Sequence, residues 1–276
     1  MTLDASVRDT FGQTLGETTP LVFNVGSAAP FVTSNGGPFV VLDPAGRQRY
    51  SVFSVNHSRL KVSLYAVGPE HWGQFMDYVR YAQGYTDDAA MKQRTPPGKP
   101  VFARTVEVAS RPDELTETAI DLRPALAEGG FGHAVVVVEP PVVTKRRRGE
   151  SIVSWAQVTN IGLDAFVDQT DLLAWATSLR DGRPLAGVEL SIYPGENGAQ
   201  SGAEGLARLP LPAAAKQSTA LLLARQGQDV AILPENFNWW NRGSNWHRRE
   251  AQDALRWYVF DDRKMYRPGE EVHVKG

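Results

Sequence analysis

The 276-residue sequence contains no cysteine. That absence removes disulfide scaffolds, cysteine nucleophiles and thiolate metal sites from consideration. It does not fix the compartment. Histidine is scarce: only His57, His71, His133, His247 and His273 occur. No two of them stand four residues apart, so the helical two-histidine zinc arrangement is missing. There is no Gly-x-Ser-x-Gly elbow. The glycines at 195, 198, 202 and 205 lack the strand–turn–helix setting and the Lys-Ser/Thr of a phosphate loop, and read as a surface loop between strands. The net charge of -2 leaves no basic footprint of a nucleic-acid binder. No stretch approaches the roughly 18 apolar residues of a membrane span. The aliphatic run Val135-Val136-Val137-Val138 is strand-sized. Residues 1–12, MTLDASVRDTFG, show neither the basic nor the apolar region of a signal peptide. These absences assign no catalytic, cofactor-binding or metal-ligating residue. The expectation is a chain that is not an enzyme and carries no cofactor or metal.

What is present is the composition of a folded protein, with 42% hydrophobic and 22% charged residues. Its dominant period is two. Leu60, Val62 and Leu64 alternate with Lys61, Ser63 and Tyr65. Val106 and Val108 alternate with Thr105 and Glu107. Leu173, Trp175, Thr177 and Leu179 alternate with smaller residues, and Val188, Leu190 and Ile192 with Glu189, Ser191 and Tyr193. Such alternation puts one face of a strand on a core and the other in water. Turn-forming runs separate the strands: Asp43-Pro44-Ala45-Gly46, Asp181-Gly182-Arg183-Pro184 and Pro194-Gly195-Glu196-Asn197-Gly198. Short strands punctuated in this way predict β-sandwiches or barrels.

One segment departs from period two. After Gly68-Pro69, the residues Trp72, Phe75, Met76 and Val79 are spaced as one face of a helix. Pro69 suits the first turn and Gly84 the stop, so the spacing predicts a helix over 69–83. A shorter helical turn is expected between Arg123 and Glu128. The module boundaries that follow are 1–45, the last strands of a partial module; 46–141, a sandwich with the helix; 150–235, a third module; 236–255, a linker or insertion; and 256–276, the opening of a further module. Pro140-Pro141 and Lys145-Arg146-Arg147-Arg148-Gly149 read as the connection between the second and third. The final Glu271 to Gly276 alternates like a strand just begun, so the chain reads as a piece of a longer one.

The stretches Val158 to Leu163, Leu172 to Leu179, Gly182 to Val188 and Leu222 to Pro234 resemble a macroglobulin-like domain of bacterial alpha-2-macroglobulins. The run Val259 to Gly276, with Asp261-Asp262-Arg263-Lys264-Met265-Tyr266-Arg267-Pro268-Gly269-Glu270, resembles the start of another such domain. Its physics is readable: Pro268-Gly269 supplies a tight turn, Tyr266 is positioned to anchor it in a core, and Val272 and Val274 restart the alternation. Asp9-Thr10-Phe11-Gly12-Gln13 and the Leu42 to Val67 region are similar to N-terminal modules of the same family. The resemblance implies an all-β fold of tandem immunoglobulin-like or macroglobulin-like antiparallel sandwiches with one short helix insertion. It implies a scaffold segment of a protease inhibitor located in the periplasm, cell envelope or outside the cell. In this family a protease cleaves an exposed bait segment and the molecule rearranges around it. The implied partners are proteases, through the full-length parent, and neighbouring macroglobulin-like domains. Nucleic acid is not an expected partner, and no membrane span is expected in this segment. Many members carry a Cys-Gly-Glu-Gln thioester; without cysteine, this chain holds none.

Two other readings stay open at this level. One is a set of immunoglobulin-like modules from a bacterial surface adhesin. The other is a carbohydrate-active enzyme with β-modules, which would need converging carboxylates where this sequence scatters its acids among turns. Lys145 to Arg148 reads as a solvated linker, an anion contact or a trypsin-like cleavage site. Trp239, Trp240 and Trp246 with Arg242, Arg248 and Arg249 read as a connection folding back over neighbouring modules, or as a partner contact. Asn56-His57-Ser58 matches a glycosylation acceptor by chance. Partial first and last modules would leave unpaired sheet edges. The expected outcome is concentration-dependent association of this chain, measured by light scattering; a monodisperse monomer at high concentration contradicts it.

Overall fold

A computed structural model describes residues 1–82, 95–141, 151–195, 198–213, 220–235, 246–250, 258–263 and 265–276. The chain opens with a short hairpin, β1 (Thr2–Leu3) and β2 (Thr19–Pro20). The first sandwich follows. It contains β3 (Phe31–Ser34), β4 (Phe39–Leu42), β5 (Arg49–Val55), β6 (Arg59–Val67), helix α1 (Trp72–Ala82), β7 (Lys99–Glu107), β8 (Thr116–Asp121), β9 (Gly132–Glu139) and β10 (Ile152–Val158). A three-stranded sheet in the order β3-β5-β8 faces a five-stranded sheet in the order β4-β10-β9-β6-β7. The alternation read from sequence places Leu60, Val62, Leu64, Val106 and Val108 between the sheets, with Val52, Ile120, Val136 and Val138.

The second sandwich contains β11 (Ile161–Val167), β12 (Asp171–Ser178), β13 (Glu189–Tyr193), β14 (Gly198–Gln200), β15 (Leu206–Pro210), β16 (Leu221–Gln226) and β17 (Asp229–Pro234). Its sheets run β11-β12-β15 and β14-β13-β16-β17. Val188, Leu190 and Ile192 enter its core as their spacing predicts. On β12 the faces are reversed. Leu172, Ala174 and Ala176 point inward, while the larger Trp175 is 39% exposed. Alternation gives two faces without saying which is the core, so the size of a side chain is a poor guide to its direction. A final hairpin pairs β18 (Phe260–Asp261) with β19 (Val274–Lys275).

The fold is thus the all-β one expected, with a single short α-helix among the described residues. The boundaries differ. β3 and β4, placed in a partial module over 1–45, pair with β5 and β10 inside the first sandwich. β10, placed at the start of a module over 150–235, forms a seven-residue antiparallel ladder with β9 and a parallel one with β4. The first unit therefore spans 31–158 and the second 161–235. The turn chemistry at Pro140-Pro141 marks a connection within one sheet. Turn residues report where a strand ends, and say nothing about which sheet the next strand joins. Residues 142–150, which include Lys145 to Arg148, lie outside the described residues.

The expected helix over 69–83 resolves into a single 3-10 turn, Pro69–His71, followed by α1; Gly84 lies outside the described residues. The Arg123 turn is a 3-10 helix over Arg123–Ala125. At the C-terminus, Tyr266 does not enter a core. Its hydroxyl donates to the Asp262 carboxylate and accepts the Arg263 N–H at 2.9 Å, under the Arg263 guanidinium at 5.3 Å. The two terminal hairpins leave apolar side chains such as Phe11 and Phe260 exposed.

Gly205 shows how backbone geometry constrains the second sandwich. Its φ is +74°, and a Cβ would sit 2.3 Å from the Ala176 carbonyl oxygen. Its own carbonyl accepts the Ala176 N–H at 2.8 Å. Gly227 has a similar φ of +61° with nothing near a would-be Cβ. Gly227→Ala is expected to cost about 1–2 kcal/mol from left-handed strain alone. Gly205→Ala is expected to cost clearly more, because β12 must also move. Urea unfolding of the two variants measures the difference, and equal losses would contradict it.

Candidate functional site: the joint between the sandwiches

The five-stranded sheet of the first sandwich has two buried faces. On β9, Ala134, Val136 and Val138 point into the first core, whereas His133, Val135 and Val137 point the other way. On β10, Ala156 and Val158 point in, whereas Val153, Trp155 and Gln157 continue the outer set, and Thr159 just beyond the strand is buried as well. The outer face is roofed twice. Helix α1 lays Trp72, Phe75, Met76 and Val79 on part of it. The second sandwich covers the rest with Leu221 and Leu223 of β16 and Ile232 of β17. Strand β16 is double-sided too, because Leu222 and Ala224 alternate into the second core.

Trp155 is the hub of this joint and has no solvent exposure. Its ring meets Trp72 edge-on at 5.3 Å and Phe75 at 5.4 Å. Edge-to-face pairs of this kind add about 0.5–1.5 kcal/mol each beyond the area they bury. The indole N–H donates to His133 Nδ1 at 3.0 Å. The other imidazole nitrogen, Nε2, lies 3.0 Å from the Val230 carbonyl oxygen on β17. Nδ1 must accept, so Nε2 carries the proton and donates across the joint. Burial lowers the imidazole to a pKa of about 4, and the ring is neutral at pH 7.

Two more polar pairs cross the same boundary. Gln157 takes the Ile232 N–H on its Oε1 at 2.9 Å and donates from Nε2 to the Ile232 carbonyl at 3.1 Å. A side chain on β10 thereby satisfies both main-chain groups of one residue on edge strand β17. Thr159 donates its hydroxyl to Asp229 at 2.6 Å, and the Asn160 N–H reaches the other carboxylate oxygen at 2.9 Å. Burial raises the Asp229 carboxyl, while these hydrogen bonds pull it back. Thr159 and Asn160 are also where the chain passes from one sandwich to the next. Asp229 therefore clamps the connector to the second sandwich.

The residues weighed from sequence fall elsewhere. His57 is half-buried and His273 exposed. His71 accepts the Gly68 N–H at 3.1 Å beside Glu70. Among the described residues no three His, Asp or Glu converge as a metal site requires, and no helix is long and apolar enough to cross a membrane. Trp239, Trp240 and Arg242 lie outside the described residues. Trp246 is buried against the second core, and the Arg248 and Arg249 N–H groups bond Pro212 and Gln169 at 2.8 Å each. This part of the Trp/Arg segment does fold back on its neighbour. The Asn56 amide donates to the Ala28 carbonyl and to Asp113, each at 2.8 Å, so it is engaged internally.

The joint residues themselves were not singled out from sequence. A signal was present: Val135 to Val138 and Leu221 to Leu223 do not alternate, and an apolar run of strand length marks a strand buried on both faces.

Residues 158–248 match the family model described as the bacterial alpha-2-macroglobulin MG3 domain. The second sandwich is thus similar to a macroglobulin domain of the bacterial alpha-2-macroglobulin type. The matched span starts at the last residue of β10 and ends in the folded-back segment at Arg248, so it coincides with the second sandwich and its strap. The crystal structure of native alpha-2-macroglobulin from Escherichia coli spanning domains MG0-NIE-MG1 is similar at a TM-score of 0.53 and 18% identity, over 85% of this chain and 73% of that one. The structure of the same protein spanning NIE-MG1 is similar at 0.51 and 18% identity, over 74% of this chain and 96% of that one. At such identity these likenesses concern the fold. Circularly permutated Ras protein 2 from Dictyostelium discoideum is 24% identical over 90% of this chain, which spans only 7% of that protein's length. The sandwich that matches the MG3 model and its neighbour are joined by the face centred on Trp155.

Gln157→Ala would leave both main-chain groups of Ile232 without partners inside a dry joint. The expected loss is about 1–3 kcal/mol for each buried group left unsatisfied. Urea unfolding measures the loss of stability, and hydrogen exchange at the Ile232 amide is expected to accelerate. Unchanged exchange there contradicts the clamp.

Proposed function

We propose that this chain is a scaffold segment of a bacterial alpha-2-macroglobulin-like, broad-spectrum endopeptidase inhibitor of the periplasm or cell envelope. Its role is mechanical and it performs no chemistry itself. The observation that carries the reading is the docking of an MG3-type sandwich onto its predecessor through a fully buried joint. An inhibitor that traps a protease by rearranging must transmit a local cleavage over a long distance. Loosely tethered domains would absorb that signal, because relative motion is the default where interfaces are small and polar. Here Trp155 is wedged between α1 and β16–β17, and Gln157 and Asp229 fix the register of one sandwich on the other. The pair is thus suited to move as one body. The partners implied are the attacking protease, met by the full-length parent, and the neighbouring macroglobulin domains.

The test uses the full-length protein that contains this chain. Incubation with trypsin or elastase is expected to give a compacted form on native electrophoresis. The captured protease should still cleave small peptides and lose activity on large protein substrates. Neither compaction nor protection of large substrates would overturn the reading and favour the adhesin alternative.

A further inference from the structure

We propose that the joint is a proton-operated latch: protonation of His133 undocks the second sandwich from the first while each keeps its own fold. The inference stands on the wiring of the joint and is independent of protease trapping.

His133 lies on the outer face of β9 and is buried only because the second sandwich and α1 cover that face. Both ring nitrogens are committed. Nδ1 accepts the Trp155 indole N–H at 3.0 Å and Nε2 donates to the Val230 carbonyl at 3.0 Å. A second proton has only Nδ1 to occupy. There it would set an imidazolium N–H against an indole N–H, donor facing donor, since an indole offers no acceptor. The strongest consequence falls on Trp155, on which Trp72 and Phe75 are stacked.

The new charge would also lack a counter-ion. From the 3-10 turn before α1, Glu70 attracts it, but that carboxylate is largely exposed and lies 2.9 Å from His71 Nδ1. From β16, Arg225 repels it. On α1, Asp77 and Arg80 pair with each other at 3.3 Å. On β17, Asp229 is engaged by Thr159 and Asn160. From β10 the neighbours are the uncharged Trp155 and Gln157. A charged imidazole is therefore compatible with water and not with the closed joint.

The sign follows from linkage. Burial holds the docked imidazole at a pKa of about 4, below the ordinary 6.5. An undocked His133 sheds the cover of β16 and β17, and full hydration would return it to the ordinary value. Docking is thus fully favoured above pH 6.5 and is weakened about tenfold per unit as pH falls toward 4, about 300-fold in all. The inner face of β9 belongs to a separate core, Ala134, Val136 and Val138, which opening the joint leaves sealed. Asp229 acts in the opposite direction, because its carboxyl is raised by burial and its uptake of a proton relieves that cost in the docked form. A change at His133 alone separates the two.

The experiment is a pH series on this chain from 8 to 4, reading the radius of gyration by small-angle scattering and secondary structure by far-UV circular dichroism. The chain is expected to expand between pH 6.5 and 4 with its strand signal retained, and His133→Gln is expected to remove that transition. An identical midpoint in the variant, or expansion only together with loss of the strand signal, overturns the proposal. Should the variant fail to fold, NMR titration of labelled histidine in the unaltered chain decides. A His133 pKa below 5 with the proton on Nε2 supports the latch, and a value near 6.5 in the docked chain overturns it.

Discussion

The burial of Trp155 on the outer face of β10 is the constraint on which the arrangement of this molecule depends. A β-sandwich needs only its inner faces to be covered; its outer faces can meet water. Here one outer face carries an indole, three valines and a histidine, and it could not stay exposed without presenting a large apolar patch. Helix α1 and the β16–β17 face are the solution. The helix interrupts an otherwise all-β chain because a sheet face as wide as β10-β9-β6 needs more cover than one neighbouring sandwich supplies. The same requirement makes β16 apolar on both sides. The two sandwiches have separate cores and share a third one.

The polar groups of the joint give it specificity. Apolar contact alone would let one sheet slide on the other, since the contribution of burial has no direction. Gln157, Thr159, Asp229 and His133 each have partners at one register only. Burial makes those partners obligatory, because an unpaired group in a dry interface costs far more than an exposed one gains. The MG3-type domain is consequently held to its predecessor at one angle. The mechanical role proposed for the pair rests on that property.

The legibility of the sequence divided along physical lines. Periodicity identified the strands around Leu60, Val106 and Val188, and the helical spacing of Trp72, Phe75, Met76 and Val79 identified α1 before any coordinates. It misjudged β12, where Trp175 faces out and Ala174 and Ala176 face in, because alternation gives two faces without saying which is the core. It misassigned β3, β4 and β10, because a module boundary depends on which strands pair, as Phe31 does with Val55 and, over 100 residues apart, Phe39 with Trp155. It placed Tyr266 in a core, whereas that ring is tied to Asp262 and Arg263 at a turn.

The cysteine-free composition, the strand and turn pattern, the helix and the family resemblance of residues 158–248 were all determined by the sequence itself, since each is a property of near neighbours along the chain. Tertiary structure alone decided that His133 is neutral, that Gln157 serves as a partner for β17, and that Trp155 lies between two domains. Those facts depend on what the second sandwich brings against the first. Nothing within a few residues of His133 marks it as different from the other four histidines. Its character comes from the Val230 carbonyl, 97 residues away in the chain and 3.0 Å away in space.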